Sequence, residues 1–237
     1  MYTEIMPNLY RIETPKPGCR CYLVRGNDLD VLIDSGIASG IDILENDLQT
    51  IGLQASDVDI LINTHDHFDH IGGNKYFQDR GVPIAAHRNA AVKITSGDDE
   101  VLMCRAFGHD ASGYHVHLWL ENINVIDAGD WFLKILHTPG HTSGCICIYE
   151  PRKRILFSGD TVFTNGTISS IAASGSYGEY TNSLARLNTM KIQLLLPGHG
   201  DISENAEDCI GKALNEAKTR HEYRLHGKQS ISSIETS

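Results

Sequence analysis

The chain has 237 residues, 41% hydrophobic and 21% charged, which is the balance of an ordinary soluble globular protein and a length that suits one α/β domain. No apolar run approaches the roughly 18 residues of a membrane helix, and the start, Met1-Tyr2-Thr3-Glu4-Ile5-Met6-Pro7, has neither the basic nor the apolar stretch of a secretory signal, so a cytoplasmic protein off the membrane is expected. Twenty Lys and Arg against thirty Asp and Glu give a net charge of −10, which disfavours nucleic acid as a partner and leaves a small molecule as the expected substrate, with a homodimer left open.

The fold is expected to open on a β-hairpin, with apolar runs at Cys21 to Arg25 and Asp30 to Ile33 joined through Gly26-Asn27-Asp28. Ser39 then stands as an N-cap before Ile41, Leu44, Leu48 and Ile51, an amphipathic helix ended by Gly52. Val58 to Ile62 reads as a buried strand running into Asn63-Thr64-His65, followed by a helix near Asn74 to Asp79 and a strand at Val82 to Ala86. Residues 94 to 122 fit neither period and read as an insertion over the site or as a helix and loop. Strands resume at Val125 to Asp127, Phe132 to Leu136, Cys145 to Tyr149, Ile155 to Phe157 and Ile192 to Leu196. Helical stripes follow at Leu184 to Met190 and at Ala206, Ile210, Ala213, Leu214 and Ala217. Strands capped by helices in each half predict two facing sheets with helices outside, a four-layer αββα sandwich over residues 1–225, and the polar residues 226–237 read as a flexible tail.

Six cysteines are too sparse for a disulfide scaffold and are expected to be reduced. Cys19-x-Cys21 and Cys145-x-Cys147 sit in alternating apolar stretches, where cysteine packs as a small hydrophobe rather than forming a four-thiolate zinc site.

Five of the twelve histidines fall, with Asp69 and Asp160, in four short segments: His65-Asp66-His67-Phe68-Asp69-His70, Pro139-Gly140-His141, Ser158-Gly159-Asp160 and Pro197-Gly198-His199. Each follows an apolar strand, and loops at one edge of a sheet converge, so these polar residues can surround one point. Imidazole with carboxylate suits zinc, with iron or manganese as alternatives, whereas magnesium and calcium call for oxygen alone. Seven ligands exceed what one catalytic metal takes from protein and divide into two sites sharing a carboxylate, so two divalent metal ions are expected.

In these motifs and their order, with Thr138-Pro139-Gly140-His141-Thr142, Ser158-Gly159-Asp160-Thr161 and Pro197-Gly198-His199-Gly200, the chain resembles the metallo-beta-lactamase superfamily over roughly residues 5 to 220. The resemblance implies that His65, His67 and His141 bind one metal, that Asp69, His70 and His199 bind the other, and that Asp160 bridges them. It further implies that Asp34, in Ile33-Asp34-Ser35-Gly36, supports the ligands from behind. A hydroxide held between the metals is then the nucleophile, with Asp69 orienting it and passing its proton on. Tyr177 and Tyr180, in the Gly-rich segment after Asp160, are candidates to donate a hydrogen bond to a substrate oxyanion.

Within the superfamily the chain is similar to the glyoxalase II-like group and to the small branch that includes endoribonucleases, most of all at Tyr180-Thr181-Asn182-Ser183-Leu184, and it lacks the second-site cysteine of class B1 beta-lactamases. The expected reaction is hydrolysis of a small ester, thioester or lactone. One alternative is a phosphodiesterase or endoribonuclease using Lys218, Arg220, Arg224 and Lys228 as a phosphate patch, residues that also read as the solvated end of the last helix. The other, through iron-dependent enzymes that resemble this fold, is a mononuclear iron persulfide dioxygenase.

Overall fold

Alternation along the strands sorts the apolar side chains into three layers. Cys21 and Leu23 face one way and Tyr22 and Val24 the other, and likewise Leu32 against Val31 and Ile33, and Leu61 against Ile60 and Ile62. The same split recurs in the second half of the chain, where Cys147, Leu156 and Leu195 oppose Ile146, Ile148, Ile155, Phe157, Leu194 and Leu196. One face of every such strand therefore packs against the other sheet and one against helices, which requires two sheets in the middle and helices outside.

The computed structural model describes the backbone of residues 1–232 and the side chains of residues 1–225. Its first sheet has seven strands in sequence order: β1 (Tyr2–Met6), β2 (Leu9–Glu13), β3 (Arg20–Arg25), β4 (Asp30–Ile33), β5 (Ile60–Asn63), β6 (Ile84–His87) and β7 (Leu118–Leu120). The second has β8 (Val125–Asp127), β9 (Phe132–His137), β10 (Ile146–Glu150), β11 (Ile155–Gly159) and β12 (Leu194–Pro197), ordered β12-β11-β10-β9-β8. Helices α1 (Ile41–Ile51), α2 (Phe68–Ile71), α3 (Asn74–Gln78) and α4 (Arg88–Ser96) cover the first sheet, burying Leu44, Leu48, Phe77 and Ile94 against it. Helices α6 (Tyr177–Leu187) and α7 (Ala206–Ser232) cover the second, and the short α5 (Asp99–Leu102) follows α4. The architecture is the αββα sandwich that the alternation predicts.

Several details differ from the sequence reading. β1 and β2 precede the hairpin, with only Leu9 and Ile12 buried on β2, a spacing of three that hides the strand period. Ser39 is not the cap of α1, because a 3-10 turn over Ala38–Gly40 intervenes and Gly40 takes that position, while Gly52 ends the helix at φ 91°. Residues 94 to 122 contain the end of α4, α5, a 3-10 turn at Arg105–Phe107 and β7. Helix α7 continues past Leu225 to Ser232, where a flexible tail was expected, and residues 233–237 lie outside the described residues. The two Cys-x-Cys pairs lie apart, Cys19 and Cys21 under the helices of the first sheet and Cys147 under those of the second, so they cannot form one thiolate site.

Strand direction places the site. β4 and β5 are parallel, β11 and β12 are parallel, and β9 runs with β11 because each is antiparallel to β10. Their C-terminal ends gather at one edge, where the Ile146 amide of the second sheet donates to the Thr64 carbonyl of the first at 2.8 Å.

Candidate metal centre

Each candidate ligand is delivered by a segment that follows a strand end. β5 runs into Thr64 and His65, and α2 starts at Phe68, so that Asp69 and His70 fall in its single turn. His141 follows β9, Asp160 follows β11 directly, and His199 follows β12 after Gly198. The glycines before the last two admit close approach. A Cβ on Gly159 would lie 2.7 Å from Thr64 Oγ1, and one on Gly198 would lie 2.7 Å from both Asp160 Oδ1 and His70 Cε1.

Among the described residues four groups have donor atoms within 4.8 Å of one another: His65 with His67 and His141, Asp69 with His70 and His199, Asp160 with His65 and His70, and, behind His70, Cys19 with Asp34 and His70. Asp160 thus lies between the triads, its Oδ2 3.8 Å from His141 Nε2 and its Oδ1 3.3 and 3.7 Å from His70 Nε2 and His199 Nε2. His67 Nδ1 stands 3.0 Å from His141 Nε2, and His70 Nε2 stands 3.3 Å from both His199 Nε2 and Asp160 Oδ1. His65 Nε2 and Asp160 Oδ1 are buried with no hydrogen-bond partner among the described residues. Buried polar atoms are otherwise almost always paired, so ring nitrogens and an orphaned carboxylate oxygen converging on one space fit metal ligation.

Tautomers are set from behind. His141 Nδ1–H donates to the Ser170 carbonyl at 2.5 Å, and His70 Nδ1–H donates to Asp34 Oδ2 at 2.8 Å, which leaves each Nε2 lone pair facing the cluster. Asp34 sits at φ 60° and also accepts from the Thr64 amide at 2.7 Å and the Thr64 hydroxyl at 2.8 Å. Thr64 Oγ1 lies in turn 3.2 Å from His65 Nδ1.

Charge follows the same logic. Burial, with His70 and His67 beside it, holds the pKa of His65 well down, and burial followed by His141 lowers that of His67 to about 3, so both stay neutral and able to donate a lone pair. Burial opposes ionisation of Asp69 and Asp160, but His70 in both cases, with His199 beside Asp69 and with His65 and His199 beside Asp160, outweighs it and holds both carboxyls below their usual range. Burial also opposes charge on His70, yet Cys19, Asp34, Asp160 and Asp69 push its pKa well up, and surroundings that favour a proton there favour a metal cation as well.

Neither tyrosine occupies an oxyanion-binding position. Tyr180 is fully buried, and its hydroxyl meets the carbonyls of Asp160 and Thr161 at 3.0 and 2.7 Å while accepting from the Ser169 amide at 3.1 Å. It braces the Asp160 loop and has no free donor for substrate. Tyr177 faces the last helix, with the Arg224 guanidinium 5.3 Å over its ring, in a groove that contains none of the seven ligand residues. The Gly-rich segment instead backs His141, since Ala172 and Ser176 donate backbone bonds to the carbonyls of His141 and Gly140, both at 2.9 Å. In the basic patch, Arg220 pairs with Glu216, and the side chain of Lys228 lies outside the described residues.

Two features of the site were not marked by the sequence. Asp66, the spacer between the first two histidines, is buried 3.5 Å from Lys93 Nζ, and Lys93 donates to Ser143 Oγ at 2.6 Å, tying α4 to the loops of both motifs. Phe107, in the irregular stretch, stacks on Phe68 at 3.8 Å, and the Tyr114 hydroxyl donates to the Gly72 carbonyl at 3.0 Å, so this stretch does pack on the motif helix α2.

Away from the ligands, His87 and His137 stack 3.7 Å apart at the ends of β6 and β9. Burial, then His137 and Arg88, lower the His87 pKa to about 4. The unfolded side chain takes up its proton near pH 6.5, so this contribution is full above that pH and is lost as pH falls toward 4, by up to about 2 kcal/mol. His87→Asn is expected to flatten that part of the urea-unfolding profile between pH 7 and 4.5, and an unchanged slope would remove His87 as its source.

Comparison with known proteins agrees with this geometry. A family model described as the metallo-beta-lactamase superfamily matches residues 15–199. The human acyl-coenzyme A thioesterase MBLAC2 is 32% identical over 90% of this chain and 85% of its own. A hydroxyacylglutathione hydrolase of Pelagibacter ubique is 27% identical over 63% of this chain and 55% of its own. Among solved structures, TTHA1623 in a di-iron-bound form superposes with a TM-score of 0.69 at 27% identity, covering 83% of this chain and 96% of that one. With the match spanning most of the chain and every ligand motif, this protein belongs to the metallo-beta-lactamase superfamily and is one of its hydrolases.

Proposed function

We propose that the protein is a dinuclear metal-dependent hydrolase of a small ester, thioester or lactone, with a thioester as the foremost substrate. The observation that carries this reading is the pair of triads with Asp160 between them, 3.8 Å from His141 of one and 3.3 Å from His70 of the other. Similarity to a relative named as an acyl-coenzyme A thioesterase over nine-tenths of the chain favours the thioester.

His65, His67 and His141 would hold one ion, Asp69, His70 and His199 the other, and Asp160 would bridge them, with zinc the metal that best suits this donor set and iron or manganese as alternatives. The chemistry that two such cations supply when bound is a water of lowered pKa and a polarised acyl oxygen. Asp69, ionised and 3.0 Å from His199 Nε2, would accept a proton of the attacking water and pass it to the leaving sulfur as the C–S bond breaks, so that the product departs as the thiol and Asp69 is again ionised. His141 and His70 hold their orientations through Ser170 and Asp34. Six free, buried cysteines accord with a cytoplasmic setting.

Metal analysis of protein purified without added metal is expected to return about two zinc, iron or manganese ions per chain. A panel of thioesters, esters, lactones, phosphodiesters and persulfides then separates the readings. Turnover of phosphodiesters alone would install the nuclease reading, and a single iron with persulfide oxidation would install the dioxygenase.

A further inference from the structure

We infer that the pocket beside His199 binds an anionic group on the thiol half of the substrate through Lys16 and Arg20. The inference rests on the thioester reading above and adds which part of the molecule is recognised, and by what.

The pocket has a volume of about 430 Å³ and is lined by Lys16, Arg20, Glu13 and His199 among others, so it opens directly from the second ligand triad. That volume lies in the range of small-molecule sites and exceeds what a lone inorganic ion fills. Its walls are fixed relative to the ligands. The Cys19 amide donates to the Asp69 carbonyl at 3.1 Å, the Arg20 amide donates to the Gly198 carbonyl at 2.8 Å, and the Thr14 hydroxyl closes the loop on the Cys19 carbonyl at 2.6 Å. A side chain in this loop therefore keeps its distance from the reacting centre.

The pocket also inverts the charge of the protein. The chain carries −10, yet here two cations face one carboxylate, and that carboxylate is already engaged: Glu13 Oε1 is 3.2 Å from Arg11 and only 3.8 Å from Arg20. The outer guanidinium nitrogens of Arg20 have only the 3.8 Å contact with Glu13, its side chain is 23% exposed, and Lys16 is exposed and makes no ion pair among the described residues. An oxyanion in the pocket can accept from the outer guanidinium nitrogens of Arg20 while facing the Lys16 ammonium, a pair of charge-assisted contacts that Glu13 does not fill. Phosphate and carboxylate share this chemistry. The first is carried by coenzyme A and the second by glutathione.

The test uses metal-loaded wild type, Lys16→Ala, Arg20→Ala and Lys16→Arg, each with one acyl group on three thiols: coenzyme A, glutathione and uncharged N-acetylcysteamine. The readout is kcat/KM on each charged thioester divided by that on the uncharged one. Each alanine variant is expected to lower the ratio roughly tenfold, through KM rather than kcat, and Lys16→Arg is expected to retain most of it, as for the loss of one charge-assisted contact. A fall confined to coenzyme A identifies phosphate as the ligand, and one confined to glutathione identifies carboxylate. Unchanged ratios for both overturn the inference. If wild type hydrolyses no thioester, the thioester reading fails by itself. The pocket is then judged by calorimetric titration with adenosine 3′,5′-bisphosphate and S-methylglutathione, where binding that weakens in Arg20→Ala supports it and no binding of either to wild type overturns it.

Discussion

Asp69→Asn is expected to lower kcat by about 10²- to 10⁴-fold while the fold and the triad of His65, His67 and His141 stay intact. Asparagine keeps the shape of the side chain and an oxygen able to reach His199 Nε2, now 3.0 Å from Asp69 Oδ2, but it cannot take up a proton at neutral pH. His70 and His199 hold the Asp69 carboxyl below its usual range, so at neutral pH it is ionised and available as a base. Asp69→Ala removes the ligand atom as well and is expected to lose both turnover and metal at the second triad. Turnover, metal content and circular dichroism measured on the same preparations separate these effects. An Asp69→Asn enzyme that binds two metals and turns over at near the wild-type rate would remove Asp69 from proton transfer.

The convergence of the four motifs was legible in the sequence because each follows a largely buried strand, and strand direction then brings the motifs to one edge. The layers were legible for the same reason, since alternation along β3, β10 and β11 survives in the residue pattern. The surroundings of the ligands were not. Cys19 and Arg20 reach Asp69 and Gly198 through backbone bonds, which leave no mark on residue type, across 50 and 178 positions of sequence. Asp66 occupies a spacer position in its motif, and only packing against α4 brings it to Lys93.

Tyr180 was misplaced although a signal was present. It shares a helical face with Leu184 and Leu187, four and seven residues on, and all three are fully buried on α6. That spacing marks a core position, and a core tyrosine satisfies its hydroxyl locally, here on the loop that carries Asp160. Composition likewise hid the pocket cations, because a net charge of −10 describes the whole surface and says nothing of one loop.

Replacing Asp34 is expected to weaken metal binding at the Asp69, His70 and His199 triad by about 10- to 100-fold, although Asp34 belongs to neither ligand triad. Its carboxylate accepts three buried bonds, two from Thr64 and one from His70 Nδ1, and its φ of 60° is a conformation that Asp and Asn tolerate far better than other side chains. Asp34→Ala leaves the Thr64 amide and His70 Nδ1–H without partners, each at about 1–3 kcal/mol, and adds strain at the positive φ, so lower stability accompanies the weaker binding. Asp34→Asn separates the two roles. Its carbonyl can still accept from the Thr64 amide and keep the backbone turn, but its NH₂ then faces His70 Nδ1 as a donor. That favours the tautomer with the proton on Nε2, the atom that lies 3.3 Å from Asp160 Oδ1 and must give up its proton to bind a metal. The asparagine variant is therefore expected to unfold at nearly the wild-type urea concentration while losing one metal to a competing chelator well before the other. Loss of both metals together would mean that Thr64, which links Asp34 to His65 Nδ1 at 3.2 Å, couples the two sites, and retention of both with wild-type affinity would mean that Asp34 holds the turn and does not orient His70.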